Sequence, residues 1–331
     1  MDDAPRLHGP ALVVTRAGGG EVLEVQDLAA GTPGPGQVLV EVAAAGVNFI
    51  DVYQREGVYP MPTPFVSGNE GAGVVVELGS DVRGVVIGDR VAWPQTLGST
   101  SRYAVVPAGM VVVVPAALDL ERAAAVMLQG LTAHYLTTST YAVGTGTLAL
   151  VHAAAGGVGQ LLVQMVKNRG GVVVATAGSP EKCATAASLG ADHVIPYREV
   201  DDLSAEVRRV TGGRGVDVAY DGIGKDTFDA SLASLRPRGT LALFGGASVQ
   251  VPPFDLQRLN TGGSLFVTRP TLGHHLATRE ELEWRAGEVL GAVSDGSLRV
   301  EVGGRYPLAE AATAYADLEG RRSQGKLLLL P

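Results

Sequence analysis

One stretch constrains this chain more than any other: Val151-His152-Ala153-Ala154-Ala155-Gly156-Gly157-Val158-Gly159-Gln160. It follows an apolar run and opens an amphipathic one. The Ala153/Gly156/Gly159 spacing follows the dinucleotide-binding fingerprint, with alanine at its first place. Small residues are needed there because a larger side chain would keep a pyrophosphate from the backbone N–H groups. The helix that follows adds partial positive charge at its N-terminus. A glycine turn could instead merely tighten a strand–helix connection, so its surroundings decide its meaning.

Those surroundings are an alternation of strands and helices. Apolar runs at 147–152, 172–176, 193–195, 216–220 and 240–244 read as strands, and their lack of polar alternation points to a parallel sheet buried on both faces. Helices fit between them at 157–169, 181–189, 204–210 and 226–235, with Gly170 and Gly190 at C-cap positions. The first hundred or so residues differ. Short β-runs (38–42, 73–77, 90–92) are separated by turns such as Thr32-Pro33-Gly34-Pro35-Gly36, as in a barrel-like domain. A helix is expected at 121–137. After Pro270 come a helix at 278–293, a strand at 298–302, a helix at 308–318 and a last strand at 327–330. The expected organisation is an N-terminal catalytic part (1–128), a nucleotide-binding insertion (129–270) and a closing catalytic part (271–331).

Length and composition agree with two cores: 331 residues, 46% of them apolar and 18% charged. A net charge of −8 argues against nucleic acid or an anionic membrane as partner. The first ten residues lack the pattern of a signal peptide, and apolar runs such as 110–117, which contains Pro115, are too short to span a bilayer. The single cysteine, Cys183, excludes an internal disulfide and a cysteine-ligated zinc cluster. A cytoplasmic location is the expectation.

The end of the second strand of the nucleotide-binding region selects the cofactor. Enzymes using NAD place a carboxylate there for the ribose 2′-hydroxyl. Here the strand runs into Ala177-Gly178-Ser179-Pro180-Glu181-Lys182. Ser179 offers a hydroxyl and Lys182 a cation, both suited to a 2′-phosphate and hence to NADPH. Glu181 dissents, but on a helix it points about 100° away from Lys182. Alternatively Ser179-Pro180 simply caps a helix and Lys182 is a solvated charge.

The chain resembles the zinc-independent quinone oxidoreductases, the zeta-crystallin-like branch of the medium-chain dehydrogenase/reductases. The resemblance is carried by Asn48-Phe49-Ile50-Asp51-Val52-Tyr53, Gly57-Val58-Tyr59-Pro60, Gly68-Asn69-Glu70-Gly71-Ala72-Gly73 and Gly88-Asp89-Arg90-Val91. It continues in Gly130-Leu131-Thr132, the 152–159 turn, Ile195-Pro196-Tyr197-Arg198 and Val267-Thr268-Arg269-Pro270. It implies an α/β fold in which a Rossmann doubly wound parallel sheet is inserted into a GroES-like β-rich catalytic domain. It also implies that Lys182 and Tyr197 grip the 2′-phosphate of NADPH. Gly156, Gly157, Val158 and Gly159 would cradle the pyrophosphate. Asn48, Thr132, Phe244, Gly245, Phe266, Val267 and Arg269 would line the rest of the cofactor cleft. Asp221-Gly222-Ile223-Gly224 would lie beneath the adenosine, although a typical member has a serine or threonine near Gly222.

Zinc-dependent relatives hold catalytic zinc with a cysteine, the histidine of a Gly-His-Glu motif and a third ligand, and carry a four-cysteine lobe. Here the first position is Asn48, the second is Asn69 and the lobe is missing, so no metal is expected. The acceptor must then be intrinsically electrophilic, such as a quinone or another conjugated carbonyl. Tyr53, Tyr59 and Asn48 are the candidate catalytic residues, the tyrosines for holding or protonating the acceptor, with packing tyrosines as the alternative. His134 and His152 read as satisfied core histidines. Quinone reduction by NADPH leads. Enoyl thioester or enone reduction and non-catalytic NADPH binding are the competing readings. The apolar edge segment Ser264-Leu265-Phe266-Val267 predicts a homodimer joined through its sheets.

Overall fold

A computed structural model of the chain describes residues 6–320 and 322–331. The chain divides into two compact units, Met1–Gln129 with Leu276–Pro331, and Gly130–His275. The second unit is thus an insertion in the first. It extends past Pro270 because His275 stacks on Tyr135, with ring centroids 4.2 Å apart and planes 7° apart.

In chain order the first part holds β1 (His8–Val14), β2 (Leu23–Ala29), β3 (Gln37–Gly46), α1 (Phe49–Arg55), β4 (Phe65–Val66) and β5 (Glu70–Leu78). β6 (Arg90–Pro94), β7 (Tyr103–Pro107), β8 (Val112–Val113) and α2 (Leu120–Tyr135) follow. The inserted unit holds β9 (Leu148–Val151), α3 (Gly157–Asn168), β10 (Val172–Ala177), α4 (Pro180–Ser188), β11 (His193–Pro196) and α5 (Leu203–Val210). It continues with β12 (Val216–Asp221), α6 (Phe228–Ser234), β13 (Leu235–Leu243), α7 (Gln257–Thr261) and β14 (Phe266–Thr268). The chain closes with α8 (Arg279–Ser294), β15 (Val302–Pro307), α9 (Ala311–Glu319) and β16 (Lys326–Leu330).

The inserted unit is a six-stranded sheet in the order β11-β10-β9-β12-β13-β14, parallel at every pairing. The central strands are mainly apolar, as in a parallel sheet packed on both faces; Leu150, Val174, Val216 and Leu241 are buried in one cluster with Phe228 and Leu235. Gly170 (φ +77°) and Gly190 (φ +101°) end α3 and α4 in the left-handed conformation expected of C-cap glycines.

The outer unit has a seven-stranded sheet, β15-β16-β3-β5-β6-β8 with β7 also on β3, and a three-stranded sheet, β2-β1-β4. Trp93, fully buried, centres the core of the first with Val40, Val75 and Val91. Among the described residues no helix is long and apolar enough to cross a membrane.

Three sequence expectations are corrected. The strand expected at 298–302 begins instead at Val302, because Leu298 is buried and its N–H donates to Ala292 O, folding it back on α8. β13 begins at Leu235 rather than 240, with a register shift against β12 between Val216 and Val218. The β-rich first part also contains α1, a helix not expected there.

Candidate active site

The turn after β9 has the shape its sequence implies. Ala153 takes φ +48°, the left-handed conformation that usually demands glycine, and its carbonyl accepts the Gly156 N–H at 2.8 Å. A Cβ on Gly159 would collide with Ala153 O and lie 2.8 Å from Ala154 Cα, so only glycine lets α3 start this close to β9. The first amides of α3, at Gly157, Val158 and Gly159, fall among those that an α-helix leaves without an intrahelical acceptor. They form a ready anion site.

At the tip of β10, Tyr197 comes to lie over Gly178. The Tyr197 N–H donates to Ala177 O at 3.2 Å, and a Cβ on Gly178 would sit 2.7 Å from the Tyr197 hydroxyl oxygen. Tyr197 remains 37% exposed. Ser179 caps α4, accepting the Lys182 N–H at 3.4 Å, with Pro180 in the first turn. The same hydroxyl helps hold the Glu181 carboxyl below its usual range. Ser179 is therefore accounted for by capping, while Lys182 is half-buried on the first turn of the helix. Arg198, which sequence reasoning left without a role, puts its guanidinium carbon 6.0 Å from the Tyr197 ring centroid.

Behind the turn, Asp221 at the end of β12 accepts from the Ile223 and Gly224 N–H groups and from Thr227 and Ser231 hydroxyls. Phe244 and Gly245 follow β13, where a Cβ on Gly245 would lie 2.8 Å from Gly222 Cα. Phe266 and Val267 lie on β14 at the sheet edge, Phe266 61% exposed, and Arg269 follows them, exposed. Thr132 is buried on α2.

In the outer unit, Tyr53 on α1 and Tyr59 just beyond it meet edge to face, with centroids 5.6 Å apart. The Tyr59 N–H donates to Tyr53 O at 3.1 Å, and Phe49 lies 6.2 Å from Tyr53. Tyr59 is 39% exposed. Asn48 is different. Its Nδ2 donates to Glu70 Oε1 (2.7 Å) and Gly46 O (3.2 Å), while its Oδ1 accepts from Lys326 Nζ (2.7 Å) and Gln129 Nε2 (3.4 Å). The side chain is engaged within its own unit. Asn69 likewise donates from Nδ2 to Asp51 Oδ1 (2.6 Å) and Gln54 Oε1 (2.7 Å). Asp51 is fully buried, and that burial pushes its carboxyl up to about 6 against the pull of Asn69, the Asn48 N–H and Lys326.

Two family patterns match the chain: an alcohol dehydrogenase GroES-like domain over residues 34–116 and a zinc-binding dehydrogenase domain over residues 157–284. The zinc of the second name finds no fitting donors. Asn69 turns an amide nitrogen to two carbonyl-type oxygens, Asn48 Oδ1 faces an ammonium, and the described residues contain no group of three or more His, Cys, Asp or Glu able to hold a metal. The quinone oxidoreductase of Pseudomonas aeruginosa is 44% identical over 316 residues, covering 95% of this chain and 97% of that protein. A 2-haloacrylate reductase from Burkholderia is 41% identical over 329 residues, covering 97% and 98%. The structure of the Escherichia coli quinone oxidoreductase complexed with NADPH superposes with a TM-score of 0.95 at 40% identity, covering 97% of this chain and all of that one. With this identity over nearly its full length, the chain belongs to the quinone oxidoreductase, zeta-crystallin-like family of the medium-chain dehydrogenase/reductases.

Proposed function

We propose that this chain is a zinc-independent, NADPH-dependent quinone reductase. The observation that carries the reading is the tip of β10, which ends in Ala177-Gly178 rather than in a carboxylate, where Gly178 admits the Tyr197 hydroxyl and Lys182 stands on the first turn of α4. The E. coli relative crystallised with NADPH supports it. In this reading the amides of 157–159 hold the pyrophosphate, Lys182 and Tyr197 hold the 2′-phosphate, and Ser179 shapes their turn. Thr132, Phe244, Gly245, Phe266, Val267 and Arg269 serve the remainder of the cofactor. Bound NADPH supplies reducing equivalents from its nicotinamide ring. Tyr59, with Tyr53 beside it, hydrogen-bonds the acceptor carbonyl, and Asn48 orients the start of α1 beneath them.

The 2-haloacrylate reductase relative favours a second acceptor class, the conjugated acids. NADPH oxidation followed with a panel of p-quinones, 2-chloroacrylate and crotonyl-CoA separates the readings. Quinones should turn over fastest; a higher kcat/KM for chloroacrylate or the thioester would move the assignment. Tight NADPH binding with background turnover on every acceptor would mark a non-catalytic binding protein.

The protein also acts as a homodimer in this reading, joined along β14. That edge strand carries exposed Phe266, and among the described residues no further strand pairs with its outer side. Light scattering at micromolar concentration should give twice the chain mass, and the monomer mass would end the idea.

A further inference from the structure

The sequence keeps the glutamate of the Gly-x-Glu motif, as Gly68-Asn69-Glu70, although both expected metal-ligand positions are asparagine. A buried carboxylate without a metal behind it is kept charged only by another cation or strong hydrogen bonds. The structure supplies a cation from the last strand. Lys326 is 1% exposed and Glu70 0%, and they form an ion pair through Nζ and Oε1. Glu70 Oε2 accepts the Leu128 N–H at 2.6 Å. The surroundings are built for the pair. A Cβ on Gly46 would collide with Glu70 Oε1 and come within 2.6 Å of Lys326 Cε, so a glycine at the end of β3 is what admits both side chains.

A buried pair of this kind is weak evidence for stability, since well-packed apolar residues of similar volume often do as well or better. Fixing a geometry is a better account. Asn48 Oδ1 faces the ammonium and its Nδ2 faces the carboxylate. The flipped amide would set NH2 against NH3+ and oxygen against oxygen. Asn48 is also the residue that leads into α1, where its N–H donates to Asp51 Oδ2 at 2.9 Å. Orienting Asn48 therefore orients the helix that bears Tyr53.

We propose that Lys326 is the resident cation of this cluster: its ammonium, paired with Glu70, fixes the Asn48 amide and through it positions α1 and the two tyrosines. The inference rests on reading these tyrosines as the acceptor-side groups of an NADPH-dependent reductase. Lys326 is a positioning residue, acting through Asn48.

The test uses three variants of the full chain: Lys326→Ala, the neutral double variant Glu70→Gln with Lys326→Met, and Glu70→Gln with Lys326→Ala. Lys326→Ala should melt at lower temperature, and ethylammonium should raise both its Tm and its kcat. The Glu70→Gln/Lys326→Ala variant should show no ethylammonium effect. The Glu70→Gln/Lys326→Met variant should recover Tm and keep the NADPH Kd, yet lose about tenfold to a hundredfold in kcat, because a displacement of about 1 Å can cost roughly that much. A kcat within about twofold of wild type in this double variant would overturn the proposal, leaving the lysine a mere counter-ion. If Lys326→Ala does not fold, the neutral double variant decides alone. If the wild-type chain itself reduces no acceptor, the functional reading has failed rather than this one. Amine-dependent stabilisation of Lys326→Ala then supports the resident-cation inference, and its absence sinks it.

Discussion

In the nucleotide-binding unit a buried histidine is held by neutral hydroxyls, whereas in the outer unit the buried polar groups include a full ammonium–carboxylate pair. His152 Nδ1 lies 3.0 Å from Thr176 Oγ1 and Nε2 lies 2.9 Å from Ser231 Oγ. Ser231 gives its proton to Asp221 Oδ2 at 2.7 Å, so it must accept from Nε2–H, and Thr176 must then donate to Nδ1. The chain of bonds fixes one neutral tautomer. Burial pushes the imidazole below its usual range, with Asp221 opposing. The outer unit instead buries Lys326, Glu70 and Asp51 together, and Asp51 titrates near 6. One network excludes a proton and the other retains one. The two units therefore answer acid with opposite signs.

The largest expected effect breaks that opposition. Folded Asp51 keeps its proton up to about pH 6, whereas unfolded it loses it near 3.8, so stability falls as pH rises through that window. A shift of about two units, at about 1.4 kcal/mol each, is roughly 3 kcal/mol. His152 runs the other way: the unfolded state takes up a proton below 6.5 more readily than the folded one, so stability falls as pH drops. Urea unfolding from pH 4 to pH 8 should show Asp51→Asn gaining on wild type as pH rises, and His152→Gln losing part of the acid-side decline. Curves parallel to wild type for both would dissolve the contrast.

A smaller effect sharpens the contrast between two lysines, Lys182 half-buried at the tip of its unit and Lys326 enclosed in the other. A charge-assisted bond from Lys182 to a phosphate is worth about 1.5 to 3 kcal/mol. Lys182→Ala should weaken NADPH by roughly tenfold to a hundredfold while leaving NADH almost unchanged. Added salt should narrow the wild-type preference, since a partly exposed pair is screened. Equal weakening of both nucleotides would remove Lys182 from the 2′-phosphate.

The smallest effect concerns backbone strain. Ala153 holds φ +48° at the first place of the turn. A left-handed residue with a Cβ costs about 1 kcal/mol or somewhat more. Ala153→Gly should therefore raise stability by about 1 kcal/mol or less, part of the relief being offset by the greater freedom of glycine when unfolded. A loss of stability would show that the alanine methyl packs usefully.

The inserted unit was legible because its signals are local and repeated. The parallel strands are continuous apolar runs, and Gly170, Gly190 and the 153–159 turn punctuate them. The start of β13 escaped because Pro237 and Gly239 break the run that begins at Leu235. The outer unit was harder to read. α1 is a single short helix among strands. Leu298 reads as the head of a strand but closes α8. Asn48 and Asn69 stand where the resemblance puts metal ligands, but what they bond instead was invisible. Lys326 heads an apolar strand, where a lysine looks like a solvated end. Only the tertiary pairing of β16 with β3 reveals it as a buried charge. Local patterns carry the nucleotide turn, whereas the Lys326–Asn48 cluster of the outer unit is written in residues far apart.

That distance bears on how the molecule comes into being on the ribosome. Lys326 and Asn48 are separated by 278 positions, and between them lies the whole inserted unit. The insertion is continuous in sequence and can close as soon as it has emerged, since domains fold as units during synthesis. The outer sheet must wait. Until β16 arrives, β3 lacks one neighbour and Glu70 lacks its counter-charge, so the early strands spend most of translation as an open, unneutralised edge. The outer sheet is closed only when β16 reaches β3, long after the inserted unit has been made.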